Sequence, residues 1–298
     1  MQLRYWGLIF LLGMGWGSSF FFNEILLREL GPLTVALGRV GIGALGCWLW
    51  LFARRAPLAI PLRSVGVLVL FAAIQYAIPL AVFPITQQYI TSSAAGIVNA
   101  TTPVMAVAVS HVWPGGERAT WLKSIGVGLG LAGIVVLVSP AFRGQGPSDP
   151  WALLATMIAP FCYGIALNLM RAFDGMNRTL LTAWSLLIGT AMLASVALGL
   201  EGPPHIERAG TWAALFVIGF ALTSGAFILL FWLIPIIGGT TASTITFLTP
   251  VSAVLLGVLI LAEPIGPAQI AGMAVIFSGL IFIDGRLPRR IFKPQPEG

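Results

Sequence analysis

The sequence has little charge. Asp, Glu, Lys and Arg make up 9% of 298 residues, against about 25% in an ordinary soluble domain. Twenty-six charged side chains cannot cover a soluble globule of this length. That shortage excludes a soluble enzyme, and the 58% hydrophobic content excludes a disordered chain. Cysteine is nearly absent: Cys47 and Cys162 both fall in apolar segments, which excludes a disulfide scaffold and favours two small packing residues. Histidine is as scarce. His111 and His205 stand apart, and no His, Asp, Glu or Cys cluster has metal-ligand or nucleophile–base spacing. A metal centre, a cofactor and an intramembrane enzyme are therefore not expected. The net charge of +6 would suggest nucleic acid on a soluble chain; here orientation in a lipid bilayer accounts for it.

What is present is apolar length, with a mean hydropathy of +0.95. No charged residue occurs between Arg63 and Glu117, or between Arg208 and Glu263. These stretches of 53 and 54 residues each fit two spans of about 20 residues joined by a turn. Apolar runs bounded by charge, Gly or Pro predict ten helices, over 5–27, 33–53, 64–84, 92–112, 121–139, 151–171, 179–199, 211–233, 240–261 and 267–284. The first reads as a retained helix, since no small-x-small cleavage site follows it. With the N-terminus in the cytoplasm, twelve Lys and Arg fall on the inner side, and only Arg28, Arg143 and Arg208 on the outer. Both termini are thus expected in the cytoplasm, with 286–298 as a basic tail.

The chain also resembles itself at an offset of about 146 residues. Asn23 falls on Asn168, Ala94–Pro103 on Thr241–Pro250, Gly126 and Gly133 on Gly272 and Gly279, and Glu117 on Glu263. Five spans per copy is odd, so the second copy enters the membrane upside down. The expected fold is an all-α integral membrane protein of two inverted five-helix repeats, 1–146 and 147–285. Inverted repeats are characteristic of secondary transporters, with a site near the midplane between the halves.

With these motifs the sequence resembles the EamA family of the drug/metabolite transporter superfamily. The resemblance covers about residues 5–284. It rests on the 5+5 plan, Trp6-Gly7…Trp16-Gly17-Ser18-Ser19-Phe20, the Thr102-Pro103 and Thr249-Pro250 helices, and Glu263-Pro264 before the last span. It implies export of small metabolites across the inner membrane of a bacterial-type cell, with the aromatic amino acid exporters as the nearest kind. One departure is that Arg118, not proline, follows Glu117. Drugs, nucleosides and purines are the alternative cargo.

Polar groups within the spans are the candidate site. Ser92, Gly96, Asn99, Thr102, Ala106 and Ser110 form one stripe of the fourth span, and Gly239, Ser243, Thr246, Thr249, Ala253 and Gly257 its counterpart on the ninth. Each stripe either lines a cavity or packs small residues between helices. Asn23, Gln75, Tyr76, Tyr163, Asn168, Thr223 and Phe227 complete the expected lining, together with Asn99, Thr102, Thr246 and Thr249. Asn and Gln can donate to a carboxylate and accept from an ammonium. Arg39 has two readings: it snorkels or pairs with Glu24, or it docks a substrate carboxylate. Glu24 is the candidate for proton coupling, beside a facilitator or exchanger that needs none. Gly41-x-Gly43-x-x-Gly46 and Gly128-x-Gly130-x-x-Gly133 match a dinucleotide fingerprint, but lie in apolar helices with no preceding strand and read as helix contacts. The expected partners are a small molecule and the lipid bilayer, the chain being a monomer or homodimer.

Overall fold

The computed structural model describes residues 3–285, and no strand occurs among them. The basic tail expected over 286–298 lies outside the described residues. Among the described residues nine helices are long and apolar enough to cross a membrane: α1 (Leu3–Leu27), α2 (Pro32–Ala53), α3 (Leu62–Gln87), α4 (Ser92–Val112), α5 (Trp121–Phe142), α6 (Pro150–Phe173), α7 (Arg178–Leu200), α8 (Ala209–Ile237) and α10 (Pro267–Asp284). Between the last two lies α9 (Ile245–Leu259), shorter than the expected 240–261. Its first turn is separate, Gly239–Ala242, after a left-handed Gly238. The Thr244 hydroxyl donates to Thr241 O and the Thr246 hydroxyl to Ser243 O. Such local bonds compete with helix at the break.

Two helices contain wide π turns, at Ala73–Ala77 in α3 and Val217–Gly225 in α8. In α3 the cause is visible. Pro79 has no N–H and its ring crowds the carbonyl four residues back, that of Gln75, so the turn widens there. In α4 the helix breaks at Ala100–Thr101. Pro103 cannot donate to Asn99 O, and the Thr102 hydroxyl takes that carbonyl instead, at 2.7 Å.

Glycines set the close packing. A Cβ on Gly17 would strike Thr249 O of α9, and one on Gly164 would strike Met105 O of α4. Thus α1 lies on α9 as α6 lies on α4. Gly43 and Gly46 of α2 meet Thr223 and Ser224 of α8. Gly126 and Gly133 of α5 meet the backbone at Gly279 and Gly272 of α10. Both dinucleotide-like glycine runs therefore serve helix packing, apart from Gly128, which faces open space.

Carboxylates cap three helices from distant loops. Glu29 accepts from Glu207 N, Arg208 N and the Thr211 hydroxyl at the start of α8. Glu201 accepts from Leu33 N at 2.9 Å and Thr34 N at 2.8 Å, opening α2. Glu263 accepts from Ser92 N at 2.7 Å and Ser93 N at 2.9 Å, opening α4. Each supplies acceptors where the helix leaves N–H groups unpaired and its dipole favours negative charge. Glu117 behaves differently. Past the other end of α4, it pairs with Lys123 on the surface. Glu117 and Glu263 thus occupy opposite ends of one helix. At the Glu263 end Asp149 N donates to Tyr89 O, joining two further loops. At the other end Arg171 donates to Gly115 O.

Candidate functional site

A cavity of about 320 Å³ lies in the middle of the bundle. It is lined by α1, α2, α3 and α4, and by α6, α8 and α9, while α5, α7 and α10 contribute nothing. Each local irregularity delivers polar groups to it. The π turn of α3 carries Gln75 and Tyr76, that of α8 carries Thr223, and the break in α4 presents Asn99 and Thr102. Thr223 donates its hydroxyl to Ile218 O, five residues back, as the wide turn allows. The same turn leaves Leu222 O within 3.1 Å of the Trp16 indole nitrogen, which donates to it from α1.

Arg39 is buried, 8% exposed, and reaches the cavity wall. Its Nε donates to Thr223 Oγ1 and its Nη2 to Ser19 Oγ, both at 3.2 Å. Neither Glu24 nor any other carboxylate among the described residues forms an ion pair with it. The snorkelling and Glu24-pairing expectations therefore give way to hydroxyl contacts inside the bundle. Aromatic rings build the walls. Phe227 stands 5.6 Å from Trp16 and 5.7 Å from Tyr76, centroid to centroid, and Phe20 meets Phe83 edge-on at 5.1 Å.

Just beyond the Phe20–Phe83 pair, Asn23 donates to Gln87 Oε1 and Gln87 donates back to Phe20 O, both at 2.9 Å. In the opposite direction the lining follows α6 to Leu167 and Met170, near its C-terminal end, and Leu167 is exposed. The lining thus stops at the Phe20–Phe83 pair toward the Glu263 end of the bundle and runs to Leu167 and Met170 toward the Glu117 end.

The structure gathers ten of the twelve expected lining residues around one space: Arg39, Gln75, Tyr76, Asn99, Thr102, Tyr163, Thr223, Phe227, Thr246 and Thr249. Two lie elsewhere. Asn23 donates its amide N–H to Gln87 while its Oδ1 stays buried without a partner among the described residues, and Asn168 bridges to Ser110 Oγ at 2.9 Å and Gly164 O at 3.0 Å. Both tie helices together because a buried amide N–H must find a partner. Glu24 is half-buried on α1 and outside the lining. The two stripes divide in the same way. Gly96 abuts Ala253, and Gly257 abuts Ser93 and Glu263, so one end of each is helix contact. Their middle parts, Asn99, Thr102 and Ala106 against Thr246 and Thr249, face the cavity.

Sequence reasoning left Trp16, Phe20, Leu80, Phe83, Leu167 and Met170 out of the expected site. A helical signal was available for most of them. Leu80 and Phe83 follow Tyr76 at four and seven residues, as Leu167 and Met170 follow Tyr163.

A multi-pass helical bundle with a central, partly polar cavity is the architecture of a membrane transporter. The chain belongs to the EamA-like transporter family, which matches residues 4–139 and again 150–284. It is 25% identical over 281 residues to the transporter YoaV of Bacillus subtilis (strain 168), covering 92% of this chain and 94% of that one. Over 213 residues it is 24% identical to the S-adenosylmethionine/S-adenosylhomocysteine transporter of Chlamydia trachomatis serovar L2 (strain ATCC VR-902B / DSM 19102 / 434/Bu), covering 67% of this chain and 64% of that one. A solved crystal structure shares its fold with a TM-score of 0.68 at 21% identity, across 96% of this chain and 98% of the other. These likenesses identify a multi-pass membrane protein of small-molecule transport, and point away from an enzyme.

Proposed function

We propose that the protein exports small metabolites across a bacterial inner membrane by alternating access, with amino acids, aromatic ones among them, as its cargo. The observation that carries this reading is a central cavity lined from both halves of the chain. Helices α1, α3 and α4 contribute to it, and so do α6, α8 and α9, which stand at corresponding places in the second half. The double family match supports two repeats with a boundary near residue 146. Opposite placement of Glu117 and Glu263 along α4 supports their inversion. Two similar units in opposite orientation have similar energies facing in and facing out, and that equality makes switching feasible.

With both termini in the cytoplasm, the Glu263 end of the bundle is periplasmic. The cavity is then closed outward by Phe20, Phe83, Asn23 and Gln87 and extends inward, the geometry of a transporter ready to load for export. Among the described residues the lining holds no carboxylate, which favours facilitated or exchange transport over proton coupling at Glu24. The direct test is counterflow in proteoliposomes across amino acids, nucleosides and dyes, with export assayed in cells. Overexpression should protect against a toxic substrate analogue. Greater sensitivity and uptake would reverse the direction, and no counterflow of any solute would remove the reading.

A further inference from the structure

We propose that the Arg39 guanidinium docks the anionic end of the transported molecule, so that the site selects small organic carboxylates with a flat apolar body over amines. The proposal rests on the cavity being the transport site, and it names what that site prefers.

The first support is unspent bonding capacity. A guanidinium has five N–H donors, and Arg39 uses one on Nε and one on Nη2. Its Nη1 makes no hydrogen bond among the described residues and is not sealed off inside the protein. Arg39 lines the cavity, so its unspent donors lie at the cavity wall. A fork of free N–H groups matches the two oxygens of a carboxylate.

The second support is the missing countercharge. A buried cation is costly unless paired. Among nineteen lining residues Arg39 is the one formal charge, with no acidic group beside it. An anionic ligand would supply what the protein omits.

The third support is that the fold does not require a charge there. Arg39 joins α2 to α8 through Thr223. A comparable contact in the other half joins α7 to α3 through Thr182, about one turn before the position equivalent to Arg39, and Tyr76, two neutral hydroxyls 3.3 Å apart. Tyr76 and Thr223 stand about one repeat apart in the sequence. A neutral pair holds one half, so the charge in the other half serves something besides helix packing.

The rest of the wall sets the other end of the ligand. Trp16, Tyr76 and Phe227 form one aromatic surface, and Phe20 with Phe83 another. An ammonium would find the neutral oxygens of Asn99, Gln75 and the hydroxyls and the faces of the aromatic rings, but no carboxylate, while Arg39 repels it. Zwitterions should therefore bind between acids and amines.

The test uses three probes with one ring: 3-phenylpropionate, phenylalanine and 2-phenylethylamine. Binding is measured by calorimetry on the full chain in phosphatidylethanolamine–phosphatidylglycerol nanodiscs. The expected order is acid, then zwitterion, then amine, with at least a tenfold span. Arg39→Gln should weaken the acid at least tenfold while leaving the amine unchanged or improved, and Arg39→Lys should recover part of the loss. Equal or tighter amine binding by the wild type, no binding of any probe, or full acid binding by Arg39→Gln would each overturn the proposal. The wild-type series stands even where Arg39→Gln fails to fold. Counterflow of a neutral or cationic solute that survives Arg39→Gln would sink anion docking yet leave the transport reading intact.

Discussion

At the scale of single residues, the cavity separates polar side chains that face the open space from those that hold helices. Asn99 and Gln75 are only half-buried in the wall, and neither side chain ties its helix to another. Asn99→Leu or Gln75→Leu should lower transport several-fold while membrane abundance stays normal. Unchanged transport in both would remove them from the site. Asn168 is the converse, with its amide committed to Ser110 and Gly164. Hydrogen bonds between membrane helices average about 0.6 kcal/mol and reach about 1.7. Asn168→Leu should therefore lower the melting temperature in detergent by an amount worth about 1 kcal/mol, without changing ligand affinity. A change in affinity with no loss of stability would return Asn168 to the site.

At the scale of elements, backbone irregularity is where the chemistry is placed. Two π turns and the proline break in α4 are costly in regular helix; the α4 break is compensated by a hydroxyl, and the α8 turn by a hydroxyl and an indole. Pro103→Ala restores an N–H that competes with the Thr102 hydroxyl for Asn99 O. It should leave the melting temperature equal or higher and lower the transport rate, as single-turnover counterflow would show. Packing of α5 on α10 is tested by Gly133→Val, which drives a side chain into Gly272 O and should reduce yield and stability, while Gly128→Ala should do nothing. The Glu29 cap on α8 makes a pH prediction. Hydrogen bonds from the Thr211 hydroxyl, and then Glu207 N, hold the Glu29 carboxyl below its ordinary 4.5. A depressed carboxylate contributes stability above its unfolded value and loses it as pH falls through the folded one. The melting difference between wild type and Glu29→Gln should thus be present at pH 7 and shrink below about pH 4.5. A difference that grows in acid would contradict the cap.

At the scale of the whole molecule, the three carboxylate caps share a property. Glu29 reaches from the first half to the second, and Glu201 and Glu263 reach from the second to the first. All three sit at the ends of the helices opposite the Arg171–Gly115 contact. A rocking motion that opens this end would have to release them. Reporter fusions at Glu117 and Glu263 should report opposite faces of the bilayer, because five spans separate equivalent points. Equal reports would end the inverted arrangement and the alternating-access mechanism with it.

The linear sequence determined the class of the protein, the number and approximate bounds of its helices, and most of the polar lining. Those features follow from quantities that add up along a chain: hydropathy over about 20 residues, charge spacing, and periodicity within one helix. Nine of the ten expected residues that line the cavity, all but Phe227, were legible because a polar side chain in lipid must face inward. The chain alone could not tell inward toward a cavity from inward toward another helix. Asn23 and Asn168 sit deep in α1 and α6 much as Asn99 does in α4, and only tertiary packing gave the first two Gln87 and Ser110 as partners. Arg39 shows the same division. Its position in a span was plain, but whether a carboxylate met it depended on which helices cross α2, and α8 brought Thr223 there instead.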